Sequence, residues 1–339
     1  MRKFLYYFGL SLSIFALVVC IQLASSCEGP AGMAGEDANE TCVQCHNDAT
    51  LVLAKQLQAA NSVHMTGGNF ERNAADCAAC HTHEGFLDRM ESGELEASSD
   101  ISNPTPPNCR TCHSIHINYD TTDFALRYSD PVTLMINDVA IDLGESNLCA
   151  NCHQPRVTDP YPTAGGGNVE ITSSRYGPHH GPQAAILWGT GAFELTGSKS
   201  YPAAGNNAHI NAGCTTCHMA EAFGNQAGGH TFKMTYEYHS SEVDNIAGCN
   251  APGCHSSVED FEYMGVQTEI EELTDSLQNV LTAAGFLTAS GSVVTGTYSS
   301  DDAGIILNYS FVNEDKSMGI HNPGYVKALL VNSLEYMAD

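Results

Sequence analysis

The spacing of the cysteines constrains this chain more than any other feature of its sequence. Of its 14 cysteines, 12 fall into six pairs, and a histidine directly follows the second cysteine of every pair. Cysteine-rich exported chains ordinarily form disulfides, but a disulfide framework gives no reason for a histidine at that position. The pattern therefore predicts six copies of one site, each built from two thiols and one imidazole.

Five copies have the form Cys-x-x-Cys-His, which is the attachment signature for c-type haem. They are Cys42, Cys45 and His46; Cys77, Cys80 and His81; Cys109, Cys112 and His113; Cys149, Cys152 and His153; and Cys214, Cys217 and His218. Two intervening residues let the thiols reach the two vinyl groups of one haem, and the adjacent histidine becomes an axial ligand of the iron. A single copy is also compatible with a redox dithiol or half a zinc site, but five copies disfavour both.

The sixth copy has four residues between its cysteines instead of two. It runs from Cys249 to Cys254 and is followed by His255. Pro252-Gly253 favours a turn that takes up the extra length and restores the separation of the thiols. We therefore expect a sixth haem here, and a structural disulfide is the alternative.

Nine histidines remain after the six motif histidines, enough to supply a second axial ligand to every iron. A second histidine closes the iron to substrates and suits it to electron transfer. The candidates are His64, His116, His179 or His180, His209, His230 and His321. His83 and His239 are surplus to this set.

Over residues 42–255 the chain resembles the multihaem c-type cytochromes, and its six motifs make it similar to exported hexahaem members from bacteria. The resemblance implies about six covalently attached haem c groups in close pairs, which carry electrons outside the cytoplasm. Cys-x-x-Cys-Lys does not occur, so the motif for the lysine-ligated haem of pentahaem nitrite reductases is missing. The alternative function is a reductase of a small nitrogen or sulfur oxyanion with one open haem site. A structural or adhesive surface protein is a third interpretation.

Residues 1–26 have the pattern of an export signal. Arg2 and Lys3 precede an apolar run, and small residues follow it. Ala24-Ser25-Ser26-Cys27 resembles a lipobox, and lipidation would explain the unpaired Cys27. We expect a periplasmic or extracellular protein that is attached to a membrane through Cys27, with soluble secretion as the alternative. The composition of residues 27–41, rich in glycine, alanine and acidic residues, predicts a flexible tether.

The rest of the chain predicts a mostly irregular fold, with short α-helices wrapped around covalent haems and little core of its own. Residues 42–257 form the multihaem region, and 258–339 a C-terminal region packed on it. An apolar stripe predicts a helix over 258–281. A small β-hairpin is predicted from 292–299 and 303–312. Asn322-Pro323 predicts the start of a last helix, which ends near Met337.

The net charge of −26 disfavours partners that are themselves negatively charged. Such a surface repels nucleic acid and anionic membranes. It suits docking to a redox protein with a basic surface, although simple solubility explains it equally well. The surplus histidines would also permit self-association into a filament, in which a histidine of one subunit ligates a haem of the next.

Overall fold

The structure is a computed structural model that describes Cys42, His46 and residues 51–338. The predicted export signal, the tether with Cys27, and Cys45 lie outside the described residues. Among the residues that are described, none of the helices is both long and apolar enough to cross a bilayer.

Short helices carry three of the cysteine motifs and part of a fourth. From residue 51 to residue 220 the α-helices are α1 (Leu51–Ala59), α2 (Val63–Thr66), α3 (Ala75–His81), α4 (His83–Ser92), α5 (Cys109–Cys112), α6 (Asn147–Ala150), α7 (Gln183–Trp188) and α8 (Gly213–His218). In α3, α5 and α8 both cysteines of a motif lie on the helix. A spacing of three residues places them on one face of a single turn. The predicted short helices are thus confirmed.

Within residues 51–338 the strands form three separate antiparallel pairs. They are β1 (Val132–Thr133), β2 (Ala140–Ile141), β3 (Val169–Ile171), β4 (Thr235–Tyr238), β5 (Ser241–Asp244) and β6 (Gly296–Tyr298). β1 pairs with β2, β3 with β6, and β4 with β5. β4 and β5 form a hairpin whose two turn residues, His239 and Ser240, both have positive φ, as a tight two-residue turn requires.

Three longer helices end the chain: α9 (Val266–Ala283), α10 (Ser300–Asp315) and α11 (Pro323–Ala338). α10 lies at the centre, and both Leu307 and Phe311 are fully buried in it. A Cβ on Gly304 would lie only 2.0 Å from the ring of Phe193, so only glycine permits this close approach. The absence of a side chain there lets the 132–195 segment pack directly on α10.

The expectation of little core was wrong for this half of the chain. One hydrophobic core joins residues 132–195, from the multihaem region, to residues 266–330, from the C-terminal region. Buried Asn308 links the two segments, since its side chain accepts from the Phe193 N–H at 2.8 Å and donates to the Phe193 carbonyl at 2.7 Å. The two predicted regions therefore share one core.

The predicted hairpin over 292–299 and 303–312 was also wrong. Residues 303–312 lie in α10, and the neighbouring strand β6 pairs with β3. The Ser299 hydroxyl accepts from the Asp302 N–H at 3.1 Å, so the predicted turn is a helix N-cap with acidic residues in its first turn. A short apolar run looks the same in a buried strand and a buried helix, which explains the error.

The other two C-terminal helices form close to where they were predicted. α9 begins later than expected, after Gly265 at φ +73°, and leaves Met264 83% exposed. α11 begins at Pro323, and the Asn322 side chain accepts from the Tyr325 N–H at 3.2 Å.

We predict that Leu329→Ala in α11 lowers the free energy of unfolding of the holoprotein by about 2–5 kcal/mol, because it leaves a cavity in the shared core. Leu329 is fully buried, whereas Leu95 is 54% exposed. Leu95→Ala is therefore the matched control and should change the free energy by less than about 0.5 kcal/mol. Guanidinium unfolding followed by far-ultraviolet circular dichroism measures both, and equal effects would contradict a core at α11.

Candidate functional site

Each of the six motif histidines faces one histidine from a distant part of the chain. The distances between ring centroids range from 6.0 to 6.4 Å. The six pairs are His46–His116, His81–His179, His113–His230, His153–His64, His218–His321 and His255–His209. We number these sites one to six by the order of their motifs.

The spacing fits a metal ion between the rings. Two imidazoles that bind one metal from opposite sides, each through a bond of about 2.0 Å, have ring centroids about 6 Å apart. Direct contacts between rings span about 4.5–7 Å, so a single pair at this distance is not diagnostic. The same narrow spacing recurs at all six motif histidines, and that repetition indicates a metal between the rings. At sites two, three and five, two thiols lie on the short helix that contains or directly precedes the motif histidine. These thiols complete the donor set for covalently attached haem, so the residues present fit that group.

Hydrogen bonds to carbonyl oxygens set the tautomer of several rings. The Nδ1 atoms of His113, His209 and His218 lie 2.7, 2.7 and 3.2 Å from the carbonyls of Phe124, Ile320 and Phe232. A carbonyl only accepts, so each Nδ1 carries the proton and each Nε2 keeps its lone pair. Nε2 is then the atom free to bind a metal.

Burial keeps further rings neutral, as metal binding requires. It lowers the pKa of His179 and of His230 to about 4, and it also lowers the pKa of His81 and of His218. His321 is the exception. Burial acts to lower its pKa, but the charge and hydrogen bond of the Asp315 carboxylate outweigh burial and raise it.

The structure distinguishes between the adjacent histidines His179 and His180. The ring of His179 faces His81 at 6.3 Å. The side chain of His180 is 72% exposed, and its Nδ1 lies 2.7 Å from a Glu314 carboxylate oxygen. His179 is therefore the member of this pair that faces a motif histidine.

The two surplus histidines face no motif histidine. The Nδ1 of His83 lies 2.9 Å from the Thr111 hydroxyl. The ring of His239 packs edge-on against Tyr238, with the centroids 4.3 Å apart.

The sixth motif contains the predicted turn. The Cys254 N–H donates to the Ala251 carbonyl at 3.0 Å, and Gly253 has φ +91°. Proline followed by a positive-φ glycine is typical of a type II turn. The His255 N–H then donates to the carbonyl of Cys249 at 3.0 Å. The same bond, from histidine to first cysteine, closes the regular motifs of His46, His113 and His153, so the turn absorbs the two extra residues.

Residues of other motifs lie against site four. The Arg89 guanidinium donates to the Asn151 carbonyl of the fourth motif at 2.7 Å and to the Cys80 thiol of the second at 3.8 Å. The Ser146 hydroxyl, just before the fourth motif, accepts from the Cys214 N–H of the fifth at 2.8 Å. Site four therefore lies between sites two and five. Sites five and six also adjoin, because a Cβ on Gly248 would lie 2.4 Å from the Thr216 carbonyl oxygen.

Phe232 lies between three of the sites. Its ring packs edge-on against His64 of site four, with centroids 5.0 Å apart, and lies 6.1 Å from the ring of His230 of site three. Its carbonyl anchors His218 of site five. The sequence contains no local signal for this role, because the contacts join segments far apart in the chain.

Gln58 on α1 positions His230. Its side-chain oxygen accepts from the His230 N–H at 3.1 Å, and its side-chain nitrogen donates to the Gly224 carbonyl at 3.1 Å. A Cβ on Gly229 would lie 2.4 Å from that oxygen, so the glycine before His230 permits the close approach. Gln58 was not predicted from the sequence.

Three comparisons relate the chain to known proteins. A family model described as "Cytochrome c7 and related cytochrome c" matches residues 31–114. No curated protein matches the chain.

Among solved structures, the crystal structure of the outer cell wall cytochrome OcwA is similar to 84% of this chain, at 19% identity and a TM-score of 0.51. The undecaheme cytochrome from the S-layer of Carboxydothermus ferrireducens is similar to 82% of it, at 20% identity and a TM-score of 0.49. The chain spans 50% and 40% of the lengths of these two proteins. The similarity to cytochrome c families thus lies in residues 31–114, and the likeness to OcwA is one of fold.

We predict that Gln58→Ala lowers the free energy of unfolding of the holoprotein by about 1–3 kcal/mol, because it leaves buried polar groups of the His230 loop without partners. Gln56 lies on the same helix and is exposed, so Gln56→Ala is the matched control and should have little effect. Denaturant unfolding measures the difference. Equal midpoints for the two variants would show that Gln58 does not hold the loop.

Proposed function

We propose that this chain is an exported c-type cytochrome with six haems, each ligated by two histidines, and that it transfers electrons between other redox proteins. The observation that carries the proposal is the set of six histidine pairs at 6.0–6.4 Å. A bound haem supplies one-electron chemistry, since its iron accepts an electron from a donor protein in passing from ferric to ferrous and gives it up to an acceptor.

The residues that would hold the haems follow from the motifs and the pairs. The thiols that form the thioether bonds are those of Cys42, Cys45, Cys77, Cys80, Cys109, Cys112, Cys149, Cys152, Cys214, Cys217, Cys249 and Cys254. The twelve paired histidines would hold the six irons, and for His113, His209 and His218 the hydrogen bond of Nδ1 leaves Nε2 to do so. His180 is left out of this set because it bonds to Glu314.

Paired histidines favour an electron carrier over a reductase. A reductase needs one iron with an open coordination position, whereas each of the six motif histidines faces a second imidazole. Ligation by a histidine of a second subunit would likewise need an open iron, so the pairs also favour a carrier that is complete within one chain.

The contacts between sites support transfer along the molecule. Hydrogen bonds through Arg89 and Ser146 connect the fourth motif to the second and the fifth. Phe232 brings residues of sites three, four and five together. Close approach of the sites is what allows an electron to move between them.

The export signal pattern supports a location outside the cytoplasm, and the similar protein OcwA is an outer cell wall cytochrome. We propose that lipidation of Cys27 attaches this chain to a membrane. The net charge of −26 favours redox partners with a basic docking surface.

We predict that the oxidised holoprotein contains only low-spin iron, because both faces of every haem carry an imidazole. Spin-quantified electron paramagnetic resonance, together with iron and protein determination, should give about six low-spin haems per chain. If one haem's worth of iron is high-spin and shifts on addition of nitrite or sulfite, the reductase alternative replaces the carrier.

The adjacent histidines provide an internal test of the pairing. We predict that His179→Ala opens site two and converts one haem to a high-spin form, because the ring facing His81 is lost. His180→Ala is the matched control and should leave every haem low-spin. The same spectra measure both variants, and the reverse result would assign His180 as the ligand.

A further inference from the structure

Site five differs from the other pairs in the group that accepts from its second histidine. The Nδ1 of His321 lies 2.7 Å from a carboxylate oxygen of Asp315, and the Asp315 side chain is 1% exposed. Where the Nδ1 atoms of other paired histidines bond to the described residues, they bond to backbone carbonyls, as in His113 and His209. Site five therefore has a full negative charge where those sites have a neutral dipole.

The surrounding chain holds the carboxylate in place. Asp315 is the last residue of α10, and the Ser317 hydroxyl donates to its second oxygen. The His321 N–H donates to the same hydroxyl at 3.3 Å, which closes the loop onto the carboxylate. On the other side, the Asn207 side-chain amide donates to the His321 carbonyl at 2.6 Å. None of the residues in these contacts is a lysine or an arginine, so no lysine or arginine among them offsets the charge of Asp315.

A carboxylate that accepts from the Nδ1–H of a ligating imidazole makes the ligand more basic and orients its ring. A buried negative charge near the iron also stabilises the ferric state, which carries one more positive charge than the ferrous state. Both effects disfavour reduction, and a neutral carbonyl partner produces them much more weakly.

We propose that Asp315 is a positioning residue that gives site five the lowest midpoint potential of the six haems. The inference rests on the proposed ligation of a haem by His218 and His321. It identifies site five as the haem that is reduced last and holds its electron least tightly. A donor protein that reduces all six haems of this chain must therefore be able to reduce site five.

The test is a spectroscopic redox titration of the full-length holoprotein and of Asp315→Asn. We expect the component of lowest potential to move to a more positive value in Asp315→Asn, while the other components stay in place. Asp315→Glu, which keeps the charge, should move it less. Glu314→Gln is the matched control, because Glu314 is the adjacent carboxylate and pairs with His180 instead. A shift in Asp315→Asn no larger than that in Glu314→Gln would overturn the proposal.

A second variant keeps the test decisive if Asp315→Asn does not fold. His321→Met changes the second ligand of site five directly, so it should remove the lowest-potential component from the titration. Loss of a component of intermediate or high potential would overturn the assignment. Haem content and spin state of the wild-type sample test the proposed function separately. If the wild type holds six low-spin haems and the component of lowest potential is unshifted in Asp315→Asn, the proposed function stands and only the role of Asp315 is removed.

Discussion

The pairing of imidazole rings across gaps of 6.0–6.4 Å is the constraint on which this structure depends. Two neutral rings at that spacing contribute little stability by themselves. A metal bound between them would cross-link segments far apart in the chain, and binding to the folded state alone stabilises that state. Six such links would hold the short helices and loops together, as extended secondary structure does in other folds.

The C-terminal helices form the frame that holds two of the sites. The loop between α10 and α11 carries His321 of site five, and its Ile320 carbonyl accepts from His209 of site six. Both helices are anchored in the core that they share with the 132–195 segment. The same hydrophobic packing that buries Phe311 therefore positions ligands of two neighbouring sites.

The errors in prediction have a common cause. Residues 303–312 carry isoleucine, phenylalanine and valine, which favour a strand when the segment is considered alone. They lie in a helix because α10 is surrounded by other apolar elements and needs no polar face. The core was missed for a related reason: many of its members come from the 132–195 segment, which shows no periodic pattern and becomes buried only by packing on the C-terminal helices.

The sequence by itself determined the attachment motifs, because the chemistry of each motif lies within five to seven consecutive residues. It also limited the second ligands to a small set of histidines, and it placed a turn at Pro252-Gly253. Only the tertiary structure decided which histidine faces which motif, the choice of His179 over His180, and the contact of Asp315 with His321. These depend on packing between distant segments, which no local pattern encodes.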